Sequence, residues 1–168
     1  MERRSVEMIV RALNEAKVRF LVVGGLAVVA HGFVRFTAHI DLVLDPDPAA
    51  LDRAIAALTA LRYRPRAPVE FRRFADPAER AAWREQKGLT VFSASSPEHP
   101  ATEIDLFLEP PFEFEAAYAR CARMEVAPGT VATFVATSDL IAMKRAAGRP
   151  QDLQDVEGLR GLERDPGR

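Results

Sequence analysis

Val22-Val23-Gly24-Gly25-Leu26-Ala27, followed by Thr37-Ala38-His39-Ile40-Asp41-Leu42, is the stretch on which the fold turns. The apolar run Phe20 to Val23 reads as a buried strand, and the glycine pair at its end lets the backbone turn sharply into a short apolar helix from Leu26 to His31. A helix opening there aims free amides and the positive end of its dipole at an anion such as a phosphate. The next strand, His39 to Leu44, brings the carboxylate of Asp41 close to that turn. His39 is the odd residue, because a site built to hold hard cations would place a second carboxylate there.

Composition bounds the reading. A chain of 168 residues with 48% apolar content and a net charge of -1 fits one domain with a real core, expected over residues 1–162, with a tail at 163–168 that lacks fixed structure. That charge excludes a surface coated with positive charge for nonspecific nucleic-acid binding but leaves room for a local patch. The single cysteine, Cys121, has no internal disulfide partner. The N-terminal residues lead into an amphipathic pattern, and the longest apolar run falls well short of the roughly 20 residues that cross a bilayer. A cytoplasmic protein without membrane contact is the expectation.

Outward from the glycine turn, helix and strand alternate. Val6, Ile9, Val10 and Leu13 recur at helical spacing. Asp45-Pro46-Asp47-Pro48 ends the second strand, Asp47 serves as N-cap, and Pro48 suits the first turn of a helix to about Leu61. A short strand-like piece follows, then a helix from Pro77 to Gln86 capped by Asp76, and strands at Leu89 to Ser93 and Ala101 to Glu109. Two strands flank Pro128-Gly129, Ser138 caps a helix ending at Gly148, and a last helix runs from Gln151 to Leu162. The fold class is α+β, a mixed sheet with helices packed against it and a helical C-terminal segment.

Strand alternation puts His39 and Asp41 on one face, and likewise Glu103 and Asp105. If the two strands are neighbours, three or four ligands converge. Carboxylates gathered this way bind Mg²⁺, and two ions roughly 3.5 to 4 Å apart activate an attacking hydroxyl and neutralise a leaving pyrophosphate. The plainer alternatives are a solvated strand face for Glu103 and Asp105, and a surface or core histidine for His39.

The ordered set Val22 to Ala27, His31-Gly32, Arg35-Phe36-Thr37 and Ile40-Asp41-Leu42-Val43 resembles the opening motif of the small nucleotidyltransferase superfamily related to DNA polymerase β. Within it the chain is most similar to AbiEii-type toxin nucleotidyltransferases and the minimal nucleotidyltransferases of toxin-antitoxin loci. Glu103-Ile104-Asp105-Leu106 resembles the strand of that family's third carboxylate. Asp139 to Lys144, with Gly148 to Asp152 and Asp155-Val156, resembles its C-terminal block. The resemblance implies a nucleotidyltransferase fold, with Gly24 and Gly25 contacting nucleotide phosphates, Asp41 and Asp105 as catalytic metal ligands, and Lys144 meeting the triphosphate as a point charge. Lys144 also reads as a solvated helix lysine. Asp152 and Asp155 share a helix face, to orient Lys144 or Arg149 or simply to cap and charge the helix. Arg35 is set to pair with a carboxylate or phosphate, and Thr37 to fix the loop.

The family pattern has an aspartate where this chain has His39. A neutral imidazole offers one nitrogen and no negative charge to a metal, which leaves three outcomes: a weakened Mg²⁺ enzyme, one using the softer Mn²⁺, or a nucleotide-binding protein without transfer activity. The expected function is transfer of a nucleotide from a nucleoside triphosphate to a hydroxyl of RNA or protein, with a small aminoglycoside-like acceptor also open. The alternative is a catalytically degenerate nucleotide-binding or regulatory protein, such as one partner of a cognate toxin-antitoxin pair. Residues 62–87 carry eight basic residues against four acidic ones, an excess of +4. With Tyr63, Phe71, Phe74 and Trp83 interleaved, they could hold a phosphate backbone and stack a base, although the plainer reading of those aromatics is as core or lid residues.

Overall fold

In the computed structural model, residues 1–164 are described. The N-terminal periodicity becomes α1 (Arg3–Glu15), which buries Val6, Ile9, Val10 and Leu13. After it, β1 (Phe20–Val23) is buried along its whole length and passes directly into α2 (Gly24–Ala30), seven residues long. The second strand, β2, spans His39–Leu44. Asp47 then caps α3 (Pro48–Ala60), its carboxylate accepting the Ala50 amide at 2.9 Å. Short β3 (Arg64–Pro65), a 3-10 turn at Phe71–Ala75 and α4 (Pro77–Lys87) lead to β4 (Val91–Ser95) and β5 (Glu103–Phe107). The chain closes with α5 (Phe114–Ala119), β6 (Ala122–Ala127), β7 (Thr130–Phe134), α6 (Thr137–Ala147) and α7 (Pro150–Arg164).

The seven strands form one mixed sheet in the order β3-β4-β5-β2-β1-β7-β6. Pairs β2/β5 and β1/β7 are parallel, and the other neighbours are antiparallel. Alternation divides the central strands sharply. Ile40, Leu42, Ile104, Leu106, Phe92 and Ala94 are buried on one face, in the core that α1 and α3 help to close. His39, Asp41, Glu103, Asp105 and Ser93 occupy the opposite face, with His39 exposed and most of the rest partly covered. The protein is therefore α+β, with its helices against a mixed sheet and a helical C-terminal pair, α6 and α7, packed together.

Several local expectations change. Ser138 is not the cap of α6: Ala136 holds that position and Ser138 lies in the first turn. Helix α5 has no counterpart in the sequence reading, because six residues are too few to show a helical period. Its N-cap Glu113 accepts the Glu115 and Ala116 amides. The strand expected at 101–109 is five residues long, and the one expected at 89–93 is shifted to 91–95. Helix α7 continues to Arg164, so the structureless tail does not begin at 163, and residues 165–168 lie outside the described residues. Among the described residues no helix is long and apolar enough to cross a membrane.

The aromatics of the basic segment follow the core reading rather than that of a stacking platform. Tyr63, Phe71, Phe74 and Trp83 are all buried, the last three grouped around Phe92 with Trp83 stacked on it at 4.9 Å between centroids. Many of its charges are answered locally: Arg62 by Glu98, Arg72 by Glu70, Arg73 by Glu79, Arg84 by Glu109, and Arg80 by the carbonyls of Phe74, Ala75 and Leu108.

Candidate functional site

Parallel pairing of β2 with β5 sets His39 opposite Glu103 and Asp41 opposite Asp105. The strands expected to converge are thus immediate neighbours. On the far side of Asp41, antiparallel β1 places Val23 opposite it, and the chain turns there into Gly24 and Gly25. Gly24 has φ +63°, a conformation that favours glycine. Space is the stronger constraint: a Cβ on Gly24 would run into the Asp41 carboxylate, 2.5 Å from Cγ. At Gly25 a Cβ would lie 2.5 Å from Arg35 Nη2 and 2.8 Å from Thr37 Oγ1. The first glycine admits the carboxylate, and the second admits the loop that leads into β2.

Asp41 is held under electrostatic stress. Burial, and then the charge of Asp105, push its pKa up from 3.8 to about 6; His39, Lys144 and a hydrogen bond from the Gly25 amide offset only part of that. Asp105 is better supplied with donors. Its Oδ1 accepts the Ser93 hydroxyl at 2.5 Å, and its Oδ2 lies 3.1 Å from His39 Nδ1. His39 Nε2 is in turn 3.7 Å from Glu103, whose carboxylate accepts Arg66 Nη1 at 2.9 and 3.0 Å. The imidazole thus lies between two carboxylates, where a cation would otherwise relieve them.

No known protein family and no curated protein matches the chain.

Behind the site lies a second charged group, contributed by α6, α7 and the loop before β2. Lys144 is 6% exposed, and its ammonium sits 2.9 Å from Asp152 and 2.7 Å from Asp155. Arg149 donates to Asp152 at 2.6 Å, and Arg35 Nε is 3.3 Å from Asp155. Burial would raise Asp152, but hydrogen bonds from Arg149 and Lys144 prevail and hold its carboxyl below the usual range. Lys144, expected at a triphosphate, is therefore engaged by the two aspartates of α7, and Arg35 by one of them. Thr37 fixes its loop by donating to the His39 carbonyl at 3.2 Å.

Asp41 and Asp105 are hard oxygen donors whose mutual repulsion a cation would relieve. Among the described residues no three His, Cys, Asp or Glu side chains are arranged to hold a metal ion by themselves. That donor set fits Mg²⁺, which is commonly bound through one or two carboxylates with substrate phosphates and water completing its shell. Sequence reasoning missed Ser93 and the role of Arg66. Alternation along β4 was the available signal for Ser93, but it required knowing that β4 borders β5.

Proposed function

We propose that this protein is nucleotidyltransferase-like: a DNA polymerase β-type nucleotidyltransferase fold that binds a nucleoside triphosphate with a divalent cation and transfers the nucleotide to a hydroxyl acceptor on RNA or protein, the acceptor oxygen bonding to the α-phosphorus as the bond to the β-phosphate breaks and pyrophosphate leaves. The observation that carries the reading is the parallel register of β2 and β5, which faces Asp41 with Asp105, while the missing side chain of Gly24 makes room for the Asp41 carboxylate itself. Asp41 and Asp105 would hold the ion, Mg²⁺ or Mn²⁺. When bound, the cation supplies charge neutralisation for the phosphates and lowers the pKa of an acceptor hydroxyl.

The chain's own residues prepare that chemistry. Gly24 makes room for the Asp41 carboxylate, and Gly25 makes room for Arg35 and Thr37 of the loop into β2. Asp105 is positioned by Ser93 and His39, and the ionised carboxylate can accept the acceptor hydroxyl's proton. Arg35 and Thr37, locked beside Gly25, fix the loop that carries the chain into β2.

A second reading, nucleotide binding without efficient transfer, is favoured by His39. Its imidazole takes up one oxygen of Asp105 and supplies no negative charge, so transfer is slow even where binding is retained. A regulatory role as one partner of a toxin-antitoxin pair belongs to this reading. Incubation with labelled nucleoside triphosphates, Mg²⁺ or Mn²⁺ and total RNA or protein tests the enzyme. Label transferred by the natural chain and lost in Asp41→Ala supports it. His39→Asp is expected to raise metal affinity on the order of tenfold and to speed transfer; an unchanged or lower rate would give His39 a role of its own.

A further inference from the structure

Two large apolar side chains stand in solvent beside this site. Val34 is 87% exposed and Phe36 is 83% exposed, far more than the other exposed large hydrophobics of the described residues, none of which exceeds 50%. Their neighbours point inward and are fixed. Phe33 packs so closely on α7 that a Cβ on Gly158 would fall 2.5 Å from its ring. Arg35 reaches Asp155, and Arg35 and Thr37 together fill the space beside Gly25. The loop therefore alternates anchored residues with outward apolar ones. Phe36 is displayed on a pinned backbone, three positions before His39.

We infer that Phe36 is a stacking platform for a nucleobase, with Val34 widening its apolar surface. The inference rests on reading the Asp41–Asp105 pair as a nucleotide site. Area decides between a base and a protein partner. A stable protein interface buries about 800 Å² per partner, whereas one phenylalanine offers roughly 150–250 Å², the scale of a single stacked ring. A base gains from such a face whatever its identity. Because the neighbouring residues are locked, stacking requires little ordering of the loop. Tyr63, Phe71, Phe74 and Trp83 are in the core and offer no face for a base.

The base belongs either to the triphosphate or to an RNA acceptor, and the two sources separate by experiment. Affinities of the natural chain, Phe36→Ala and Phe36→Trp are measured by calorimetry for ATP, inorganic tripolyphosphate and a short oligoadenylate, each with Mg²⁺. Phe36→Ala is expected to weaken ATP or the oligoadenylate about tenfold and leave tripolyphosphate unchanged, with the ligand affected naming the source. Phe36→Trp is expected to retain affinity and show fluorescence quenching by that ligand and not by tripolyphosphate, Trp83 being buried. Tripolyphosphate binding with no effect of Phe36→Ala on either base-bearing ligand overturns the platform and leaves the site reading standing. Failure of the natural chain to bind any of the three overturns both. A dimer that Phe36→Ala converts to monomer in sedimentation overturns the platform in favour of self-association.

Discussion

Two clusters of charge lie close together in this protein and are built on opposite principles. Around Lys144, three cations (Lys144, Arg35, Arg149) meet two aspartates of α7, and the buried groups all have partners of opposite charge. Around Asp41, two carboxylates stand opposite each other on adjacent strands, and burial, then the charge of Asp105, pushes the Asp41 pKa up to about 6. A compensated cluster stabilises and orients its helices. An uncompensated one costs stability in the free protein and is the arrangement expected where a cation or substrate will supply the missing charge.

The largest effect that would test this contrast lies in the compensated cluster. Lys144→Met leaves Asp152 and Asp155 buried without their ammonium, and is expected to cost about 3 to 5 kcal/mol, roughly 10 °C or more in Tm. Thermal unfolding followed by circular dichroism checks it; a near-neutral Lys144→Met would show that the cluster does not stabilise the fold and would free Lys144 for a substrate role.

Next comes Gly24→Ala, which forces a side chain into a left-handed backbone position and against the Asp41 carboxylate. A loss of about 1 to 3 kcal/mol is expected. Adding Asp41→Gly removes the collision, so the double variant should recover part of that loss, as a double-mutant cycle would show. Strict additivity would mean that the glycine serves backbone conformation alone.

The smallest effect is the most diagnostic in sign. Asp41 has a folded-state pKa of about 6, above its usual 3.8, so the folded state binds the extra proton between those values. Stability from this group is fully present below about pH 4 and is lost as pH rises through about 6. Asp41→Asn should therefore raise the Tm of the metal-free protein at pH 8 by roughly 2 to 6 °C, with the gain fading towards pH 4. A destabilising Asp41→Asn at pH 8 would erase the distinction between the clusters.

The sheet's central architecture was legible because its signals are local and periodic. Apolar runs and the glycine pair marked β1, β2 and α2, and alternation correctly put His39 with Asp41 and Glu103 with Asp105 on one face. The neighbouring of β2 and β5 was a condition, since nothing local in either strand encodes its partner. Charge was the least legible property. The excess in 62–87 looked available for a polyanion, yet many of its cations are answered by carboxylates or carbonyls, some of them distant in sequence, as Arg62 by Glu98 and Arg80 by the Leu108 carbonyl; for Lys144 the shared helix face of Asp152 and Asp155 had offered the pairing that the structure shows. The aromatics of the same segment were ambiguous for a similar reason, because their common neighbour, Phe92, lies on a separate strand.

The central claim, that the stressed Asp41–Asp105 pair is the seat of a metal-bound nucleotide, is tested most directly by calorimetric titration of ATP into the natural chain and Asp41→Asn, with Mg²⁺ and separately with Mn²⁺. Saturable binding that requires the cation and disappears in Asp41→Asn is the predicted result. No binding with either ion at millimolar nucleotide, or binding undiminished in Asp41→Asn, would contradict it.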